Sequence, residues 1–503
     1  MISSFYLVGV LRLSSENKLT FKHFLANQLT KRDNLQIPRW QIFAVLFTGA
    51  VIVVLNQTAM STALPNMIES LGIDPSLGQW IVSGYTLVKG IMVPITAFAM
   101  TKYRTRNFFI LMLALFCTGS FLTGLGFNFP VVVMGTVIQG IAAGMIIPLM
   151  QTVLLTLMPV ESRGTAMGVM SGVIGIGPAL GPLVGGVIVD AFTWEILFYI
   201  WALITLLLVP LTWLVLPDVL PNADLTINWA NIRDSLIGFG LLLFSLSVFG
   251  SSGFSSVIAW VSLLIGLVFV AKFIHFNLKA DQPILNLRLF KKTYYRRAVL
   301  VATLGIVIIS CLSNVIPIYV QTVRGLGASI AGLILMPAGI IKTILAPISG
   351  KLYDKVGVAR IGLIGGILLL VGSLLLVTLN EASSLYLLMI YYGILSAGFG
   401  LFNIPITTAG MNIMAKEDMG HATSARQTVR QISSSFAVSL SFIIMTLVTI
   451  ATSGQSVGVF QDGGPTDLNM AGVRGAFILV AIFSILAMIL IFFLKDPKEK
   501  PDQ

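Results

Sequence analysis

The chain is a succession of apolar runs, and fourteen of them are long enough to cross a lipid bilayer. They cover 40–63, 78–100, 107–126, 130–157, 164–189, 196–217, 235–253, 257–276, 297–321, 328–350, 360–379, 385–412, 424–451 and 471–494. A span needs about 20 mostly apolar residues, because a helix rises about 1.5 Å per residue through a hydrocarbon layer roughly 30 Å thick. In hydrocarbon every backbone polar group must be paired within the chain. Runs of this length therefore read as helices. Only 10% of the 503 residues are charged, against about 25% in a soluble domain. The sequence predicts an all-α polytopic membrane protein of 14 spans.

The loops set an expected orientation. With the N-terminus on the cytoplasmic side, 27 of the 31 lysines and arginines fall in tails and inside connections, and only Arg324 and Arg474 fall outside. Basic residues collect on the cytoplasmic side of membrane proteins, so both termini are expected there, in the cell membrane of a bacterium. The same split assigns the net charge of +11 to topology and lipid contact rather than to nucleic acid. Within residues 1–39, Met1–Leu13 is apolar but short and follows no basic region, so a cleaved signal peptide is not expected. The tail reads either as an interfacial helix, with Phe21, Phe24 and Leu25 beside Lys18 and Lys22, or as a dispensable extension. Cys117 and Cys311, like His23, His275 and His421, lie far apart with no metal-ligand spacing. No metal and no cofactor are expected.

Lys89 and Lys342 are the remaining two cations, and they sit in copies of one phrase. Lys89-Gly90-Ile91-Met92-Val93-Pro94-Ile95-Thr96 corresponds to Lys342-Thr343-Ile344-Leu345-Ala346-Pro347-Ile348-Ser349, and each copy runs on to a basic turn, at Lys102 and at Lys355. Span two thus matches span ten, which reads as six spans, two extra, then six. The expected organisation is a tail at 1–39, a six-helix bundle at 40–217, a linker with the two additional spans at 218–296, a second bundle at 297–494 and a tail at 495–503.

Several motifs sit on this frame. Span five carries Gly177-Pro178-Ala179-Leu180-Gly181-Pro182-Leu183-Val184-Gly185-Gly186. Span one carries Leu55-Asn56-Gln57-Thr58 through Ala63-Leu64-Pro65, span four Gln139-Gly140, and the turn after span ten Gly350-Lys351-Leu352-Tyr353-Asp354-Lys355-Val356-Gly357. In these residues the chain resembles the major facilitator superfamily, and within it the fourteen-span drug exporters, drug:proton antiporters, over about residues 40–494. The resemblance implies a major facilitator fold with two bundles rocking about a central site. It implies an antiporter motif at Gly177, Pro178, Gly181, Pro182, Gly185 and Gly186. It also implies a cytoplasmic gate at Asp354, Lys355 and Arg360, where the carboxylate would meet helix N-terminal dipoles or an arginine across the interface.

The glycines themselves form two faces, Gly164/Gly168/Gly172 and Gly177/Gly181/Gly185, each spaced by four as close helix approach requires. Pro178 and Pro182 are expected to favour a kink between the faces, and Gly181 and Gly185 to set a seal in the outer half. The first copy of the gate has Thr101 where the second has Asp354, so a matching latch there must be weak or differently built.

The chain also departs from the family pattern. Asn56 replaces the span-one aspartate, Thr136 the span-four arginine, and Trp194-Glu195 the Trp-Arg that enters span six. All 20 acidic residues fall in tails, loops or span ends. A lysine at mid-membrane costs roughly 2.5–3.5 kcal/mol on insertion scales, and Lys89 and Lys342 have no expected counter-charge. Each can give up its proton, face a wet cavity, or meet an anion carried by the substrate. The two are expected to face one cavity, alongside Asn56, Thr58, Gln139, Asn314, Gln321 and Asn403. Asp190 or Glu195, near the outer end, are the remaining candidates for a proton site.

The expected function is a secondary exporter of amphiphilic compounds or drugs, proton-coupled by family resemblance and favouring anionic or zwitterionic substrates. It would act as a monomer in contact with membrane lipids. The alternatives are a lipid or lipid-precursor translocator and, less favoured because no extramembrane domain exists, a non-transporting sensor. No metal, nucleophile–base or phosphate-cradle pattern suggests an enzyme.

Overall fold

A computed structural model describes residues 38–220, 228–252, 256–326, 328–453 and 468–494. The tail readings at 1–37 and 495–503 lie outside the described residues. The fourteen spans appear as α1 (Arg39–Leu71), α2 (Pro75–Lys102), α3 (Thr105–Leu125), α4 (Phe129–Leu157), α5 (Arg163–Ala191), α6 (Trp194–Val215), α7 (Trp229–Ser252), α8 (Val257–Lys279), α9 (Thr293–Ile318), α10 (Ala328–Val356), α11 (Val358–Val377), α12 (Leu385–Asn412), α13 (Met419–Ser453) and α14 (Met470–Ile491). All are long and apolar enough to cross a membrane.

Local chemistry punctuates them. Asn128 accepts from the Val131 amide and caps α4, with proline in its first turn. Ser256, Ser384 and Asn469 cap α8, α12 and α14 in the same way. Such caps satisfy amides that the first helical turn leaves free. Gly357, at φ +82°, turns the chain between α10 and α11 in a conformation that a side chain would disfavour.

The apolar core divides in two. One cluster draws mainly on α1–α6, with Leu46, Phe109, Phe116 and Phe198 fully buried, and continues across the interface to Tyr295, Ala346, Ile404 and Met411. The other draws on α9–α14 around Leu312, Tyr319, Phe402 and Phe477. A smaller cluster joins Ala97 and Phe98 of α2, Phe239 of α7, Phe273 of α8 and Ala425 of α13. The extra pair α7–α8 therefore lies over the seam where α2 meets α13. A Trp80–Phe244 stack at 5.9 Å reinforces it, as does a hydrogen bond from Ser439 of α13 to the Leu246 carbonyl of α7.

The opposite seam, α5 against α10, is made by glycine. A side-chain carbon at Gly350 would lie 3.0 Å from Thr165 Cα, and one at Gly168 would lie 2.9 Å from Pro347 Cα. At Gly172 and Gly175 it would meet the Thr343 carbonyl at 3.2 Å and the Thr343 hydroxyl at 2.6 Å. Farther along, the same α10 face continues through Gly339 and Gly332, and there a side-chain carbon would meet nothing within 4 Å. The two bundles are thus closed on each other at the end where α5 begins and α10 ends, and parted beyond Thr343.

One expectation about the span-five motif is corrected. Gly181 and Gly185 do not seal one bundle to the other. A carbon at Gly181 would lie 2.7 Å from Thr58 Cβ, and one at Gly185 would lie 2.9 Å from Ala59 Cα, both in α1 of the same bundle. Gly177 likewise packs on Val54 of α1, while Gly186 faces open space. The second glycine face fixes α5 to its own bundle, and the first faces the other. The helix is continuous from Arg163 to Ala191, Pro178 and Pro182 included.

Gly168→Leu is therefore expected to insert normally but lose transport, because leucine cannot fit against Ala346 and Pro347 when the bundles close. Gly339→Leu, facing open space, is expected to keep at least half of wild-type transport. Efflux rates at matched membrane levels of the two variants check this.

Candidate functional site

At the closed end, Asp354 reaches across from the last turn of α10 to the first turn of α5. Its carboxylate accepts from the amides of Gly164 (2.9 Å) and Thr165 (2.7 Å) and from the Thr165 hydroxyl (2.5 Å). A carboxylate at a helix N-terminus satisfies free amides and meets the positive end of the helix dipole. The partner is thus the helix end rather than an arginine. Lys355 and Arg360 are exposed and take no part in that contact. Thr101, the repeat counterpart of Asp354, turns its hydroxyl back to the Ala97 carbonyl of its own helix (3.0 Å).

Further polar links cross the closed end. Buried Arg163 donates to Asn412 Oδ1 (3.4 Å), whose amide donates to the Tyr353 hydroxyl (3.0 Å). Gln151 of α4 accepts from Arg426 (2.7 Å) and Gln427 (3.1 Å) of α13. Arg163 had counted as a loop charge; it is 4% exposed and belongs to the closure.

Directly beyond this floor lies a cavity of about 210 Å³ between the bundles. The first bundle contributes an uncharged, mostly apolar wall of Val54, Ile147, Met167, Met170 and Ile174, with Ser171 among them. The second contributes Lys342, Arg426 and Arg430, together with Asn403, Thr407 and Gln427. Among the described residues the cavity wall holds no aspartate or glutamate.

Arg426 and Arg430 correct the loop-charge reading. They had counted as cytoplasmic charges at the start of span thirteen, but α13 begins at Met419, which places Arg430 about 16 Å along the helix. The signal was present in the sequence: two arginines four apart lie on one helix face, within the run already marked as 424–451.

The lysine pair is also corrected in part. Lys342 lines the cavity, while Lys89 does not. Lys89 donates instead to Gln57 Oε1 at 2.7 Å.

Of the expected polar groups, Asn403 alone lines the cavity, with its amide donating to the Ala302 carbonyl (3.2 Å). Asn56 donates to Gln139 Oε1 (2.7 Å), and Gln139 donates to the Thr123 hydroxyl (3.0 Å), a buried chain inside the first bundle. Thr58 donates to the Gly177 carbonyl (3.1 Å) and ties α1 to α5. Asn314 caps back onto the Ser310 carbonyl (3.0 Å). Gln321 sits exposed in the π-helical turn Tyr319–Val323. Asp190 is exposed in the last turn of α5. Glu195 opens α6 and packs near Gly126. Neither acid lines the cavity. Polar residues in apolar helices are satisfied by the nearest partner, which here is usually a neighbouring helix of the same bundle.

Two bundles, a cavity between them and one closed end are the architecture of a membrane transporter. The chain belongs to the Major Facilitator Superfamily, whose family model matches residues 46–438. It is 32% identical to the MFS-type transporter YcnB of Bacillus subtilis, over 92% of this chain and 96% of that one. It is 26% identical to the lincomycin resistance protein LmrB of Listeria monocytogenes, over 91% of this chain and 97% of that one. Among solved structures, the human organic anion transporter MFSD10 superposes with a TM-score of 0.66 at 16% identity, covering 91% of this chain and all of that one. At that identity the likeness speaks to the fold. The protein is a multi-pass membrane transporter of small substrates, not an enzyme.

Two outcomes follow from the polar links. Asp354→Ala, which removes three hydrogen bonds, is expected to raise severalfold the labelling of a Ser171→Cys thiol by a polar reagent applied from the closed end. Gln139→Leu is expected to cost about 1–3 kcal/mol of stability, the usual price of stranding a buried partner, and to leave substrate preference unchanged. Labelling kinetics and thermal unfolding in detergent check the two.

Proposed function

We propose that the protein is a secondary active exporter of amphiphilic compounds, working by alternating access and favouring anionic or zwitterionic substrates. The observation that carries this reading is the cavity between the bundles, with Lys342, Arg426 and Arg430 on its wall and no acid beside them among the described residues. Buried cations persist where they are paired or hydrogen-bonded, and a substrate anion can supply that partner. The apolar wall suits the rest of an amphiphile. Relatives named for lincomycin and multidrug resistance support export of such compounds. A monomer at work among membrane lipids is part of the proposal.

The same reading places both termini in the cytoplasm. The closed end is then cytoplasmic, and the structure stands outward-facing. Proton coupling belongs to the proposal too. Arginine keeps its proton in proteins, and Asp190 and Glu195 stand off the cavity wall, so Lys342 on the wall, and Lys89 held by Gln57, are the groups put forward to exchange one.

Everted vesicles energised by a proton gradient test the proposal with anionic and cationic amphiphilic dyes. Faster accumulation of the anionic dye, with substrate-induced proton flux in proteoliposomes, is the expected result. Accumulation of the cationic dye alone would refute the charge preference, and transport without proton flux would refute the coupling.

A further inference from the structure

The cations around the cavity are not equivalent. Arg426 is held by Gln151 across the bundle interface at 2.7 Å, and Gln427 shares that acceptor at 3.1 Å. Arg426 thus acts as a strut of the closed floor. Lys89 is held by Gln57 at 2.7 Å. Lys342 and Arg430 differ from both: each lines the cavity, and neither has a hydrogen-bond or ion-pair partner among the described residues. Arg430 is exposed, but to the cavity.

Both unpartnered cations stand on the second bundle, in α10 and α13. The wall facing them, from α1, α4 and α5, carries no charge: it is aliphatic and methionine-lined at Val54, Ile147, Met167, Met170 and Ile174, with Ser171 as its one hydroxyl among the described residues. The site is polarised from one bundle to the other. A ligand that fits both walls carries its charge at one end and its apolar body at the other.

From this geometry we infer that Lys342 and Arg430 form a single oxyanion subsite, which seats the head of an anionic amphiphile on the second bundle and its apolar body against the first. The inference rests on the reading of the cavity as the transport site, and it narrows that reading. Two cations with no acid beside them on the wall leave the positive group of a zwitterion without an ion-pair partner there and repel it. The subsite therefore selects net anions. Bringing one oxyanion between Lys342 and Arg430 also relieves the repulsion between them. The guanidinium can grip a carboxylate or phosphate with two parallel hydrogen bonds, while the lysine acts as a point charge. Asn403 and Thr407 lie on the same wall and can donate to further oxygens of the head.

Purified protein and one fluorescent single-chain amphiphile made with three heads, carboxylate, phosphocholine and trimethylammonium, provide the test by fluorescence anisotropy. Wild type is expected to bind the carboxylate at least tenfold more tightly than either other probe. Lys342→Gln and Arg430→Gln are each expected to weaken the carboxylate at least tenfold and leave the trimethylammonium probe unchanged, while Lys342→Arg restores most of the loss. Unfolding temperatures of the variants separate loss of the site from loss of the fold. Carboxylate binding that survives both glutamine variants would overturn the subsite while leaving the proposed function standing. Phosphocholine bound as tightly as carboxylate would overturn the restriction to net anions. Wild type that binds only the trimethylammonium probe would overturn the functional reading itself.

Discussion

Everything in the cavity depends on one close helix contact, that of α5 with α10. Helices side by side normally sit 8–10 Å apart, and glycine lets backbones come closer. Gly164, Gly168, Gly172 and Gly350 bring the two helices together from the α5 start as far as Thr343. The Asp354 carboxylate then fastens the end by taking two amides that no helical carbonyl can reach. Such a contact is tight, and along Gly168, Gly172 and Gly350 backbone meets backbone rather than large side chains interlocking. It can separate without leaving buried charges stranded in the core, which is what a transporter that must also open at this end needs.

Electrostatic imbalance is the second organising fact. Four cations stand in or beside the space between the bundles, and the cavity wall among the described residues carries no acid. Neutral amides absorb part of the cost: Gln151 takes Arg426 and Gln57 takes Lys89. A glutamine oxygen accepts hydrogen bonds without adding a charge of its own, so the site remains strongly positive. The division of labour between the bundles follows, with charge on one wall and aliphatic and thioether groups on the other.

The extra pair α7–α8 gives the molecule a built-in asymmetry. It covers the α2–α13 seam, with Phe239 and Phe273 beside Phe98 and Ala425 and the Ser439–Leu246 hydrogen bond farther along. Among the described residues the α5–α10 seam has no such helix pair over it. The buried Asn277 amide, bonded to Asn231 (3.1 Å) and accepting from the Leu285 amide (3.0 Å), locks the far end of the pair to the segment that leads into α9.

The sequence by itself determined the fourteen helices, their order and the duplication of the bundles, because an apolar run in a bilayer has only one way to satisfy its backbone. It also marked Lys342, Asn403 and Asp354, since a charge or amide in such a run is costly enough to need a reason. What it left undecided was which partner each polar side chain would meet. Asn56, Thr58 and Gln139 look like cavity groups in a span-by-span reading, yet each turns to a neighbouring helix of its own bundle. Gly181 and Gly185 look like an outer seal and serve instead as the bed for Thr58 and Ala59. Arg426 and Arg430 look like loop charges and line the cavity. Only the tertiary structure decided these, because a helix presents every side of itself to some neighbour, and the rotation of each helix about its axis is fixed by packing among all of them rather than by its own sequence.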